Sequence, residues 1–288
     1  MSENKIFSVI IPTRHRNDQL CACLERLKPG QQSLPFESYE VIVSDDGEDS
    51  SAEQAVQMNY PWALWVPGPR RGPAANRNNG ASFAGGQWLV FTDDDCLPDS
   101  FWLSSFQAAM QATAVEAMEG AIYPIGDPDR DLAHCPSNLQ GGYFWSANIA
   151  VARGLFQKLG GFDERYRFAD HEDEDLRMRA SVHTDIVFVP EARVGHPVRV
   201  SSLPEALSSI PKRTQSWVCH IFKHQHTLGY ADKRSYVRGW VRYWLKEMLA
   251  HIRLLHLKSA LVAFAMAMTG PVLIPRYLAR EQAAEDTC

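Results

Sequence analysis

Short apolar runs recur along the first two hundred residues, each closed by a proline or by acids. Phe7–Ile11 is a β-branched run ending at Pro12, the pattern of a strand buried in a parallel sheet. Tyr39–Val43 runs into Ser44-Asp45-Asp46-Gly47, Ala63–Val66 is cut by Pro67, and Trp88–Phe91 runs into Thr92-Asp93-Asp94-Asp95. Ile186–Val189 is a further strand. Between these runs the apolar period becomes helical. Asp18–Leu27 puts Leu20, Leu24 and Leu27 on one face, with Asn17 or Asp18 as its cap. Ala74–Ala84 and Phe101–Ala114 are two more helices, and another reads Asp175–Ala180. Strands alternating with helices predict an α/β fold over residues 1–200, a mostly parallel sheet flanked by helices. Leu203–Leu228 and Ser235–His256 predict a separate C-terminal helical region over residues 201–288.

A chain that is 45% apolar and 22% charged is globular, which excludes disordered, collagen-like and coiled-coil classes. Six cysteines in 288 residues are too sparse for a disulfide scaffold and show no zinc spacing, so a reduced, cytosolic chain is expected. The polar start, Met1–Lys5, lacks the order of a secretory signal. The net charge of −5 is unevenly spread: residues 1–200 hold 17 Lys+Arg and 28 Asp+Glu, residues 201–288 hold 12 and 6. An acidic body has no basic face to neutralise phosphates, so nucleic acid is excluded as its partner.

The placement of the acids carries the chemistry. Open parallel sheets bind ligands beyond the carboxyl ends of their strands, and two strands end directly in Asp45-Asp46 and Asp93-Asp94-Asp95. Adjacent carboxylates repel unless a cation compensates, and Mg²⁺ or Mn²⁺ prefers carboxylate oxygen while leaving positions open for phosphate. A metal-bridged nucleotide diphosphate fits; a solvated acidic loop is the plainer alternative. A carboxylate at Asp45 or Asp46 can accept from a base N–H or a ribose hydroxyl. Thr13 and Arg14 end the first strand and face the same side, although Arg14-His15-Arg16 also suits an exposed basic turn.

Four blocks, in order, resemble the family-2 glycosyltransferases of GT-A fold: Phe7-Ser-Val-Ile-Ile-Pro-Thr13, Val41-Ile-Val-Ser-Asp-Asp-Gly47, Gly72-Pro-Ala-Ala-Asn-Arg-Asn-Asn-Gly80 leading to Phe91-Thr-Asp-Asp-Asp95, and Gly160-Gly-Phe-Asp-Glu164 with Glu172-Asp-Glu-Asp-Leu176. The resemblance covers roughly residues 6–200. It implies a nucleotide-sugar donor, most often a UDP-sugar, and inverting transfer to a hydroxyl of a glycan or lipid-linked acceptor at the inner face of the cytoplasmic membrane. It implies that Arg77 holds the nucleotide, where an ion pair with an acidic loop is the alternative. Asp95 would bind Mn²⁺ or Mg²⁺, Asp93 the metal or ribose, and Asp94 belongs with the nucleotide-binding acids. Asp173 matches the position of the general base. Glu172 is the next candidate for that base; otherwise Glu172 and Asp175 would orient Asp173 or merely favour the helix N-terminus, with Asp175 also a candidate donor or acceptor contact. His196 would be a further metal ligand or a structural histidine. In Tyr143-Phe-Trp-Ser-Ala-Asn148, Trp145 can stack on a sugar or pack in the core, and Asn148 can bond the donor sugar. Two features depart from the family: Pro67-Gly-Pro69-Arg-Arg71 is unusually rich in proline and arginine, and no Q-x-x-R-W is present, which points to a single addition rather than a polymerase.

In the tail, Trp217, Trp240, Tyr243 and Trp244 are interleaved with Lys and Arg, which suits peripheral contact with an anionic membrane or a lipid-linked acceptor. A helical subdomain closing the site, or a homo-oligomer contact, is the alternative. Ser259–Pro275 has no charge, and Gly270-Pro271 is expected to interrupt it, favouring peripheral over spanning placement. Two rival functions remain. A sugar-nucleotidyltransferase should carry a glycine-rich loop after the first strand, and Pro12-Thr-Arg-His-Arg16 has none. A non-catalytic nucleotide- or glycan-binding protein has no reason to retain all three acidic clusters.

Overall fold

The structure is a computed structural model that describes residues 5–48, 51–230 and 232–285; the polar start, Met1–Asn4, lies outside the described residues. It divides into two compact units, one made of the residues up to Gly126 with Cys135–Pro197, the other of Asp127–His134 with the chain from Val198 onward.

The first unit is built on an eight-stranded mixed sheet. Its strands are β1 (Phe7–Thr13), β2 (Tyr39–Asp45), β3 (Leu64–Pro67), β4 (Trp88–Phe91), β5 (Leu97–Pro98), β6 (Ala117–Ile125), β8 (Ile149–Ala152) and β9 (Ile186–Pro197), β7 (Ala133–His134) belonging to the second unit. The order is β3-β2-β1-β4-β8-β6-β9-β5. β3, β2, β1 and β4 run parallel, and β6 runs parallel to β9. β8 is antiparallel to both β4 and β6. Strands buried on both faces explain the unbroken apolar runs. Val9, Ile11, Val41, Val43 and Val90 pack in one core with Leu20, Leu24, Trp102 and Phe106, while Ile10, Leu89 and Phe91 pack in another with Phe156, Phe162 and Leu176.

Helices α1 (Asn17–Leu27), α2 (Glu53–Asn59), α3 (Pro73–Ser82), α4 (Trp102–Ala112), α5 (Arg153–Lys158) and α6 (Glu172–Ala180) flank the sheet. α1 starts after Arg16 with no side-chain cap, so neither Asn17 nor Asp18 caps it; both lie inside its first turn. α6 begins three residues earlier than expected, so all four acids from Glu172 to Asp175 sit in its first turn, where the helix dipole favours them. β3 continues through Pro67, which an edge strand tolerates.

In the second unit β7 pairs with β10 (Arg199–Val200), and four helices follow: α7 (Leu203–Ser208), α8 (Ile210–Lys223), α9 (Lys233–Arg253) and α10 (Leu257–Glu285). Ser202 and Asp232 form capping boxes at the starts of α7 and α9. Gly270-Pro271 does not interrupt α10, which runs through both Pro271 and Pro275. The apolar side of α10 is held from outside: Met266 and Ile274 pack with Val218, Phe222 and Trp240, and Trp240 Nε1 donates to Met266 O at 2.6 Å.

Candidate active site

The parallel registers bring the acid-bearing strand ends to one edge. Thr13 pairs with Asp45, Asp45 with Pro67, and Ile10 with Phe91, so the chain after β4 emerges beside the end of β1. Thr13 Oγ1 then donates to Asp94 Oδ2 at 2.8 Å. Asn76 on α3 braces this edge, donating to Ser44 O at 2.9 Å and accepting from Ser44 Oγ at 2.7 Å.

Arg77, one residue further along α3, joins the two ends of the site. Its guanidinium meets Asp93 Oδ1 at 2.8 Å and Glu172 Oε1 at 2.9 Å, with 4% of the side chain exposed. A planar fork suits two carboxylates at once. Burial works against the charge on Asp93, but the adjacent Arg77 outweighs it and holds the carboxyl below its ordinary range. Glu172 goes the other way: burial raises it more than Arg77 lowers it.

Asp173 retains some surface, accepts Glu174 N at 2.8 Å and receives Ser146 N at 3.3 Å. Removal from water, then the charge of Glu172, pushes its pKa up to about 8. In its ionised form a carboxylate so raised is a stronger base than an ordinary one, and it reaches that form only as the pH approaches its pKa.

Beside these groups lie two side chains that could hold a cation. Asp95 Oδ1 is 3.5 Å from His196 Nε2, and both residues are buried. His196 Nδ1 lies 2.9 Å from Pro197 O, so an Nδ1 proton can donate there, and Nε2 is the ring nitrogen that faces the carboxylate. A carboxylate oxygen and an imidazole nitrogen so placed could both be offered to a divalent ion. Cys96 completes a cluster whose ligand atoms lie within 4.8 Å, yet burial holds its thiol protonated, so oxygen and imidazole donors suit a hard ion better than the sulfur does.

Several sequence assignments change. Arg14 is exposed and acts on Asp46 only through its charge; Arg16 is the residue that enters, 3.2 Å from Asp94 and 3.3 Å from Asp95. Asp45 is tied to its own loop, accepting from Gly47 N at 2.8 Å, Ala52 N at 2.6 Å and Trp65 Nε1 at 3.2 Å. Asp46 accepts Arg70 N at 2.8 Å, and burial raises its pKa. Asn148 is buried and bonded within the protein: Nδ2 donates to Ala121 O at 2.9 Å and Ala192 O at 2.8 Å, while Oδ1 receives Trp102 Nε1 at 2.7 Å. Asp175 is fully buried and pairs with Arg179 at 2.7 Å, whose guanidinium also holds the carbonyls of Leu159 and Gly161 at 2.9 Å. Through Arg179 it braces the turn that closes α5 against α6. Trp145 is half-buried against the core and stacks on the exposed Tyr143 at 4.4 Å between centroids.

Glu119 on β6 went unrecognised in the sequence. It is buried and accepts from the backbone N–H groups of Gly142, Tyr143 and Phe144 and from Asn138 Nδ2. Gly141, Gly142 and Phe144 take left-handed φ of 82°, 96° and 55°, which turns those amides inward around the carboxylate. A lone glutamate in an apolar strand was the only signal.

Residues 8–164 match the family described as glycosyl transferase family 2. The chain is 29% identical over 172 residues to glycosyltransferase AglE of Haloferax volcanii, covering 57% of this chain and 56% of that protein. It is 28% identical over 291 residues to an N-acetylglucosaminyl-diphospho-decaprenol L-rhamnosyltransferase of Mycobacterium tuberculosis, covering 83% and 90%. The chain thus spans about half of the first relative and most of the second. Staphylococcus aureus TarS in complex with UDP superposes with a TM-score of 0.57 at 17% identity, covering 92% of this chain and 90% of that one, a likeness of fold.

Proposed function

The chain belongs to glycosyl transferase family 2, and on that premise we propose that it moves a sugar from a nucleotide diphosphate donor, a UDP-sugar by preference, to a hydroxyl of a lipid-linked glycan. The observation that carries this is the Arg77 bridge from Asp93 to Glu172, which sets donor-side acids and the candidate base Asp173 within one charge network. The rhamnosyltransferase relative, named for a diphospho-decaprenol acceptor, supports the acceptor class, and a lipid-linked acceptor would place the reaction at a membrane face, by our reading the inner face of the cytoplasmic membrane. The UDP complex of TarS and the Mn²⁺ complex of GalNAc-T7, a neighbour of similar fold, are in keeping with the donor and the ion.

Asp46 would meet the nucleoside, with Asp45 holding the loop beside it and Arg16 beside the diphosphate. Asp95 and His196 would hold Mn²⁺ or Mg²⁺, which when bound neutralises charge on the departing diphosphate. Asp173 takes the proton of the acceptor hydroxyl as its oxygen bonds the anomeric carbon from the face opposite the nucleotide. The bond from that carbon to the diphosphate oxygen breaks with its electron pair, and the sugar inverts. Arg77 and Glu172 keep Asp173 in place, and the stacked Tyr143 and Trp145 offer an apolar face to a sugar ring.

Calorimetric titration with UDP, GDP and dTDP, each with and without Mn²⁺, tests the donor half. One nucleotide should bind, and only with the metal. Asp173→Asn should keep that binding and lose transfer. Wild-type turnover in this variant would overturn the base assignment, and a folded chain that binds none of the three would favour a glycan-binding protein.

A further inference from the structure

Exposed apolar residues gather on the helical hairpin of the second unit. At the turn between α9 and α10, Leu254, Leu255 and Leu257 are 64%, 81% and 66% exposed. The turn is built rather than frayed. His256 N donates to His251 O at 2.9 Å, and Leu255 takes a left-handed φ of 59°. Asp131 caps α10, accepting Lys258 N and Ser259 N at 2.9 Å and Ser259 Oγ at 2.6 Å. Its carboxylate, the acid next to this turn, is therefore committed to the helix end.

From the turn an apolar stripe continues along each helix. α10 exposes Leu257, Leu261, Phe264, Met268 and Val272, one face at helical spacing, while Ala263, Met266 and Ile274 are buried on the other. α9 exposes Leu245, Leu249 and Ile252, and beside that stripe run Arg238, Arg242, Lys246 and Arg253. Lys258 adjoins the turn, and no acidic residue occurs between Glu247 and Glu281. Single exposed leucines are ordinary, but contiguous ones with a basic border are the pattern of a surface that meets anionic lipid. α10 is long and apolar enough to cross a membrane, with a mean hydropathy of 1.7 over its most apolar window. Its other face, however, is sealed by Trp240 and α8, which suits lying on a bilayer rather than passing through it.

We propose that the tip of the α9–α10 hairpin docks on an anionic lipid surface, with Leu254, Leu255, Leu257 and Leu261 entering the acyl boundary and Arg253 and Lys258 meeting the headgroup phosphates. This stands apart from the assignments of donor, metal and base, because lipid binding needs neither nucleotide nor acceptor.

The test is cosedimentation of the full chain with phosphatidylcholine vesicles, with and without phosphatidylglycerol, across a salt series. The chain should bind the anionic vesicles and be released by salt. Arg253→Glu with Lys258→Glu should weaken binding at least about fivefold per charge. Leu254→Ser with Leu255→Ser should weaken it at least about tenfold. Both variants should keep the wild-type melting temperature and nucleotide affinity. A folded wild-type chain that ignores anionic vesicles overturns the proposal. So does a leucine variant that binds like wild type, or one that turns a dimer into a monomer without any lipid binding in the parent, since the covering partner is then a second copy.

Discussion

Arg77 and Glu172, 95 residues apart in sequence, are joined by a buried bond of 2.9 Å that ties α3 to the start of α6. The same guanidinium holds Asp93, so two carboxylates depend on one cation. Arg77→Ala leaves both without it, and removing one partner of a buried pair costs about 3–5 kcal/mol. Arg77→Lys keeps the charge but cannot span both acids, so it should recover only part of that loss. Urea denaturation of the three proteins measures the series; an Ala variant as stable as wild type would show the bridge to be incidental.

Asp173 supplies a pH signature. Its carboxyl must be ionised to accept a proton, and burial and Glu172 raise its pKa to about 8. The rate with a saturating donor should fall on the acid side of a midpoint well above an ordinary carboxylate's, and Asp173→Asn should cost about 10²–10⁴-fold in turnover. Stability should move in the opposite sense. Because the folded pKa lies above the unfolded value of about 3.9, the protonated form contributes stability that is complete below the unfolded value and lost as pH rises toward the folded one. Asn cannot ionise. Melting curves should therefore place Asp173→Asn above wild type by a margin that widens from acid toward pH 8 and then levels.

Asn148 separates a strut from a ligand. All its polar atoms are engaged by β6, β9 and α4, through Ala121 O, Ala192 O and Trp102 Nε1. Asn148→Ala leaves buried groups unpaired and should cost at least about 2 kcal/mol. Nucleotide affinity of the folded fraction should stay at the wild-type value, with the stability loss read by thermal melting. Weaker donor binding at unchanged stability would restore Asn148 to the sugar site.

The parts visible in the sequence are those coded locally. β4 is an unbroken apolar run, β1 and β2 are apolar but for Ser8 and Glu40 up to their polar ends, and a strand buried on both faces needs no partner to be recognised. The acids at their ends follow in register. β6 is hard to read in the sequence because Glu119, Gly120 and Pro124 break its pattern, and the first two answer to groups distant in the chain. Glu119 answers to the 142–144 amides; a Cβ on Gly120 would strike Ala192 O and Asn148 at the β6–β9 irregularity. β8 is four residues long, two of them alanine, and its burial comes from neighbours on both sides. For the same reason the sequence names Asp175 and Asn148 as polar candidates without distinguishing ligand from brace. Arg16 was passed over for Arg14 because reach, not position, decides which arginine enters.

Gly270 and Pro271 should respond to substitution with opposite signs. A Cβ at Gly270 would fall on the Trp240 indole, which lies against the helix there and bonds Met266 O. Gly270→Val must displace that ring and break its hydrogen bond, and overpacking of this kind costs about 1–3 kcal/mol. Pro271 faces solvent and lacks the N–H that would bond Ala267 O one turn back. Since α10 stays helical through it, Pro271→Ala restores a donor where nothing crowds it, and helix propensity favours alanine there by up to about 3 kcal/mol. Thermal melting with tryptophan fluorescence distinguishes the two: Gly270→Val should melt earlier with an altered emission from Trp240, Pro271→Ala later with emission unchanged. Destabilisation by Pro271→Ala would mean that the proline sets a bend which the packing of α10 requires.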